Sequence, residues 1–147
     1  MADIVTPEVR SRMMSRIHGR NTRPEIALRG ALHRKGFRFR LNVKKLPGSP
    51  DIVLPKWKTA IFVHGCYWHR HPGCRKASTP SSNFEFWAEK FRQNVKRDAR
   101  NIKDLQGAGW RVAVVWECAI GREPSPCLIG RLEDFIISGQ PARMDFE

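Results

Sequence analysis

Apolar residues recur along this chain with two distinct periods. Ile26, Leu28, Ala31 and Leu32 return at helical intervals behind Thr22-Arg23-Pro24-Glu25. That tetrapeptide reads as a capping box, with Thr22 accepting from the backbone at Glu25, Glu25 reaching back, and Pro24 suiting the first turn. A helix is predicted from there to near Gly36. Phe37-Arg38-Phe39-Arg40-Leu41 then alternates strictly, the pattern of a half-buried strand with a basic outer face. Pro-Gly and Ser-Pro mark residues 43–50 as loop. Two short apolar runs follow over residues 51–54 and 59–63, separated by a turn, and the three strands together predict a meander. Ser82-Asn83-Phe84-Glu85 is a second capping box. It opens a long helix with Phe84, Trp87, Ala88, Phe91, Val95, Ile102 and Leu105 broadly on one side, ended by Gly107 and Gly109. Residues 110–116 (WRVAVVW) form a strand apolar enough to be buried on both faces. Ser125-Pro126 starts a last helix with Leu128, Ile129, Leu132, Phe135 and Ile136 inward, and Gly139 stops it. The order α–β–β–β–α–β–α predicts an α/β fold, a mixed β-sheet flanked by helices.

Composition adds a partner to this outline. The 147 residues suffice for one domain with a real core, and a hydrophobic content of 41% favours folding over disorder. Lys and Arg number 27 against 14 Asp and Glu, a net charge of +13. The excess is concentrated: residues 1–50 carry 12 basic and 3 acidic side chains, residues 51–147 carry 15 and 11. A polyanion is the natural partner, and nucleic acid is the commonest; a basic surface kept for solubility is the plainer alternative. Residues 1–20 are basic and rich in Met, with Met13, Met14 and Ile17 able to share a helical face. They read as an arm that orders on a partner, or as a short helix on the core. The domain is expected over residues 21–138, with a tail over 139–147. The longest apolar run is five residues, far short of the roughly 20 a spanning helix needs, and no signal-peptide core opens the chain. A soluble cytoplasmic protein without membrane contact is expected.

Candidate chemistry gathers between Ile61 and Cys74, IFVHGCYWHRHPGC. Three of the five His and two of the four Cys fall in eleven residues there. Cys66-x4-His71-x2-Cys74 places three candidate metal ligands in nine residues, with Pro72-Gly73 to turn the loop. Cys118, at a strand end, would complete a closed Cys3His set of the kind a structural zinc takes. Cys127 is the other candidate for fourth ligand, although it reads as a small buried residue, and free thiols are the plain alternative. Asp51, heading one strand, is a hard oxygen donor suited to Mg2+, and the carbonyl of Val63 on the neighbouring strand is a second. With His71 given to zinc, His64 and His69 remain. Phosphodiester hydrolysis needs an activated water and charge neutralisation, which one His as base, another as donor, and a magnesium ion supply. Tyr67 and Trp68 lie in the same polar loop and read as wedges or stacking platforms for bases. Trp87, early in the long helix, either joins them or packs as core. The opposite face of that helix carries Lys90, Arg92, Lys96, Arg97, Arg100 and Lys103, and phosphate contact is expected of it.

These residues closely resemble the very-short-patch-repair DNA mismatch endonucleases. The likeness is carried by Leu46-Pro-Gly-Ser-Pro-Asp51, Ile61 through His71, Phe86-Trp87 through Asn94-Val-Lys-Arg-Asp98, and Gly109-Trp-Arg-Val through Val115-Trp-Glu-Cys118, over roughly residues 8–135. The resemblance implies a restriction-endonuclease-like fold with a structural zinc site, and nicking 5′ to the thymine of a T:G mismatch left by deamination of 5-methylcytosine. It implies Asp51 and the Val63 carbonyl as magnesium ligands, His64 and His69 as catalytic histidines with His69 the base, and Glu25 as a supporting acid. Zinc falls on Cys66, His71, Cys74 and Cys118. Intercalation falls on Tyr67, Trp68 and Trp87, DNA contact also on Lys96 and Arg97, and an N-terminal arm around Met14 and Ile17 would clamp the opposite groove. Mismatched double-stranded DNA is the implied partner, followed by mismatch-repair proteins and a repair polymerase; a monomer at the bacterial nucleoid is expected. Two other readings stay open: the same fold nicking another mismatch or modified DNA, and a non-catalytic zinc module that binds DNA. The second strand ends Phe62-Val63-His64 where the wider restriction pattern has Glu-x-Lys, which implies His-assisted chemistry.

Overall fold

The computed structural model describes residues 22–147. The arm over residues 1–20, with Met14 and Ile17, lies outside them. Helix α1 (Arg23–Arg34) begins where the capping box places it, with Thr22 as N-cap. The Thr22 hydroxyl bonds no helix amide, however; it donates to Glu25 Oε1 at 3.2 Å. The two polar side chains of the box therefore hold each other. Leu28, Ala31 and Leu32 are buried on the inner face.

A five-stranded sheet runs in sequence order: β1 (Arg40–Leu41), β2 (Ile52–Leu54), β3 (Thr59–His64), β4 (Arg111–Trp116) and β5 (Arg143–Phe146). The first three strands are the expected antiparallel meander, while β3–β4 and β4–β5 are parallel. The strand expected over 37–41 shrinks to its last two residues. Phe37 is buried by packing edge-on to Trp57, at 6.3 Å between ring centroids, and not by strand pairing. Residues 139–147, expected as a tail, supply β5. Its only fully buried side chain is Phe146, too little pattern to read as a strand. The demand for it was nevertheless present in β4, whose residues 112–116 are all buried; a strand covered on both faces and fully paired needs a neighbour on each side.

Helix α2 (Phe84–Gly107) is capped by Asn83, which takes the left-handed conformation at φ +54. The box expected at Ser82 is displaced by one residue and makes no side-chain cap. A short helix α3 (Glu117–Ile120) follows β4, and α4 (Pro126–Ser138) starts at Ser125, whose hydroxyl accepts from Leu128 N at 3.1 Å, and ends at Gly139. Cys127, expected to be buried, is exposed in the first turn of α4. None of these described helices is long and apolar enough to cross a membrane.

Strand alternation sorts the core into two clusters. Ile61, Val63, Ala113 and Val115 face α1 and α4, with Leu28, Leu32, Leu132 and Ile136. Ala60, Phe62, Val112, Val114 and Trp116 face α2, with Ile102 and Leu105. The same period of two puts His64 on the α2 side, behind Phe62.

Candidate functional site

Asp51 sits one residue before β2, and the β2–β3 register carried one step further sets it opposite Phe62. Its Oδ2 accepts from the Val63 amide at 2.7 Å. Asp51 is only 8% exposed. Burial pushes its pKa up to about 7; the Val63 amide works against that rise, and the carboxylate of Glu25 adds to it. Glu25 itself is buried on α1 and paired to Arg29 at 3.1 Å. A carboxylate desolvated to this degree beside another is suited to accept a cation or a proton.

His64 closes β3 with its ring buried, and that burial, with His69 next in weight, lowers its pKa to about 3. The ring is therefore neutral. It stacks on His69 with centroids 3.9 Å apart and planes 3° from parallel. His69 Nδ1 lies 2.6 Å from Asp98 Oδ2 on α2. Because an ionised carboxylate only accepts, this contact favours a proton on His69 Nδ1, and in the neutral form of the ring that tautomer would leave Nε2 with a lone pair. Asp51, Val63, His64, His69 and Asp98 line one open cleft of about 550 Å³, whose wall is completed by Lys44, Asn42, Arg97 and Asn101.

Between Gly65 and Cys74 the chain turns repeatedly on its own backbone, through His69 N to Gly65 O, His71 N to Cys66 O and Cys74 N to His71 O. Arg70 takes φ +56 in this run, a conformation that costs a non-glycine residue about 1–2 kcal/mol. That inversion lets neighbouring histidines serve different places. His69 points into the cleft, while His71 joins Cys66, Cys74 and Cys118, whose ligand atoms all lie within 4.8 Å of one another. His71 Nδ1 is 3.4 Å from Cys118 Sγ, its Nε2 is 2.5 Å from Glu147 Oε2, and its ring stacks on Trp116 at 4.4 Å. Cys66 N donates to Glu117 Oε1 at 3.1 Å, tying the loop to α3. Burial pushes the Cys66 thiol up, while the amide of Lys76 draws Cys74 down. Three sulfurs and one imidazole at this spacing make a donor set with the composition of a closed tetrahedral site. Cys118, not Cys127, is the fourth member.

Tyr67, Trp68 and Trp87 come together with Phe91. Tyr67 meets Trp68 edge-on at 5.0 Å, Trp68 meets Trp87 at 6.2 Å, and Tyr67 meets Phe91 at 5.2 Å. Trp68 is exposed, Tyr67 and Trp87 half-buried, and Phe84 and Phe86 beside them are exposed on the first turn of α2. Of the apolar stripe expected to be core along α2, Phe91, Ile102 and Leu105 are buried, Trp87 and Ala88 are half-buried, and Phe84 and Val95 are exposed. Arg97 lines the cleft, whereas Lys96 is exposed on α2 away from that lining.

Asp98 is the site residue that sequence reasoning missed. Its signal was present: counted from Phe91, positions 98, 102 and 105 fall on one helical face, so a carboxylate interrupts the buried stripe of Phe91, Ile102 and Leu105. Asn42, Lys44 and Asn101 carried no comparable mark.

Comparison with known proteins follows the same outline. A family profile described as DNA mismatch endonuclease Vsr matches residues 2–76. The chain is 43% identical over 149 residues to the DNA mismatch endonuclease Vsr of Escherichia coli, covering 99% of this chain and 95% of that protein. It is 48% identical over 120 residues to the type II nicking enzyme V.XorIIP of Xanthomonas oryzae pv. oryzae, covering 82% and 88%. With the type II nicking enzyme V.NmeAIP of Neisseria meningitidis it shares 44% identity over 141 residues, covering 92% of this chain and 100% of the relative.

Proposed function

This chain belongs to the DNA mismatch endonuclease Vsr family, and from that premise we propose that it nicks one strand 5′ to the thymine of a T:G mismatch left by deamination of 5-methylcytosine. Membership makes it a mismatch-nicking DNA endonuclease, a hydrolase of phosphodiester bonds acting on DNA. The finer reading is carried by one observation: Asp51, His64 and the His69–Asp98 pair share a cleft, and His69 directly follows the paired rings of Tyr67 and Trp68 in the chain.

Asp51 and the main-chain carbonyl of Val63 would hold Mg2+, for which hard oxygens are the right donors. An ion bound there would supply charge neutralisation at the phosphate and a more acidic water. His69 Nε2 takes the proton of the attacking water, with Asp98 fixing the tautomer and stabilising the imidazolium. His64, kept neutral by burial, holds His69 by stacking and offers a hydrogen bond to the phosphate. Glu25 supports Asp51 from behind. Cys66, His71, Cys74 and Cys118 would hold Zn2+, which locks the loop and takes no part in the reaction. Tyr67, Trp68 and Trp87 wedge between base pairs at the mismatch, Lys96 and Arg97 bind phosphate, and the arm over residues 1–20 clamps the far groove through Met14 and Ile17. A restriction-endonuclease-like fold is supported by the mixed sheet with its acid at the head of β2. In this reading the enzyme is a monomer acting at the bacterial nucleoid, and its nick passes to mismatch-repair proteins and a repair polymerase.

Nicking of a panel of mismatched and modified duplexes, mapped to the nucleotide, tests the target. Cleavage 5′ to thymine in T:G alone is expected. Preference for another lesion would favour the second reading, a same-fold nickase with a different target, toward which the relatives named type II nicking enzymes point. Asp51→Ala should abolish nicking and keep mismatch binding; normal nicking would sink the magnesium assignment. Elemental analysis should show zinc in the native protein and its loss in Cys66→Ser.

A further inference from the structure

We propose that Arg70 is a positioning residue that sets mismatch discrimination, bracing the Tyr67–Trp68 pair from behind; this rests on the reading of those rings as the wedge. A surface arginine in a DNA enzyme is ordinarily read as a phosphate contact, but the guanidinium of Arg70 is turned inward. Its Nη1 donates to Tyr67 O at 3.2 Å and to Ser78 O at 2.8 Å. Its Nη2 donates to Ala77 O at 2.7 Å and to Thr79 Oγ1 at 2.8 Å. The same group lies over the Phe91 ring at 4.1 Å and near the Tyr67 ring at 5.7 Å.

Phe91 is buried in α2, a long helix anchored to the sheet. Residues 65–83, by contrast, form no helix or strand. Arg70 therefore links a fixed ring to both limbs of an irregular loop, and one of its acceptors is the carbonyl of the wedge residue Tyr67. Asn94 Nδ2, also on α2, donates to Trp68 O at 3.2 Å and acts in the same sense. A wedge already held in its inserting posture loses little freedom on entering a base step. A paired duplex admits no wedge, so stiffness changes the preference for mismatched DNA more than general affinity. Only a planar fork serves here: lysine keeps the charge but neither spans four acceptors nor stacks flat on a ring.

Arg70→Lys separates the two roles. Titration of mismatched and paired duplexes should show its mismatch preference reduced about five- to tenfold, the scale of one lost base–ring stack. Paired-duplex affinity should stay within about twofold, because the charge is kept. A fluorescent base analogue beside the mismatch should report less unstacking at saturation. Unchanged preference in a folded, zinc-replete Arg70→Lys protein overturns the proposal. Trp68→Ala runs alongside: if it keeps the preference, the wedge reading itself fails, and if it loses the preference while Arg70→Lys does not, the bracing role alone fails. Should Arg70→Lys lose its zinc or its melting transition, Thr79→Ala decides, since that exposed hydroxyl carries one of the four bonds. A drop of about twofold or more supports the brace, and no change overturns it.

Discussion

At 2.6 Å from His69 Nδ1, Asp98 fixes which ring nitrogen carries the proton. An amide at that position would donate to Nδ1 and move the proton to Nε2. Asp98→Asn should therefore lower the single-turnover nicking rate by about 100-fold or more, while the Kd for mismatched DNA stays within about twofold; an unchanged rate would remove Asp98 from the machinery. Asp51 and His64 also predict opposite responses to pH without added magnesium. Asp51 has a folded pKa near 7, above its unfolded value, so its contribution is fully present below about pH 4 and lost as pH rises through 7. His64 has a folded pKa near 3, below its unfolded value, so its contribution is present above about pH 6.5 and lost as pH falls through 3. Between pH 4 and 6.5 the two offset each other in the native protein. Urea unfolding should show Asp51→Asn losing stability on acidification by about 1 kcal/mol per pH unit relative to wild type, and His64→Gln gaining it by a similar amount. Parallel curves for all three proteins would refute both burials.

Among the elements, β5 and α2 depart furthest from their sequence patterns, for opposite reasons. A 24-residue helix is about 36 Å long, whereas the six-residue strands β3 and β4 beneath it span about 20 Å. The helix overruns the sheet, so its far apolar side chains stay bare: Phe84 is 56% and Phe86 62% exposed. Strand β5 shows the converse, a polar sequence made structural by one anchor. Phe146 is fully buried against Phe135, at 6.0 Å, and its neighbour Glu147 reaches His71. Phe146→Ala should destabilise the protein by about 3–5 kcal/mol in urea unfolding. A loss under about 1 kcal/mol would show that β5 contributes little beyond its backbone pairing.

For the molecule as a whole, a net charge of +13 makes DNA affinity a function of salt. Each phosphate contact contributes about 0.9 to the slope of log K against log salt. Replacing Lys96 and Arg97 together by Gln should flatten that slope by about 2 and weaken mismatched and paired duplexes alike. An unchanged slope would assign phosphate contact to other basic residues.

The sequence by itself determined the meander, the buried strand β4, the capped last helix and the residue types of both sites, because period, caps and ligand spacing are local properties. Cys66, His71 and Cys74 fall within a span of nine residues, and Asp51 and His64 sit at the ends of adjacent strands, so their meeting follows from short-range geometry. Cys118 was already the preferred fourth ligand, and the structure gathers it with the other three; only the tertiary structure brought Asp98 to His69 across 29 residues and turned the tail into an edge strand. Those outcomes depend on which helix crosses which strand and how far it overhangs, and pairings between distant segments leave almost no trace in the local pattern of either one.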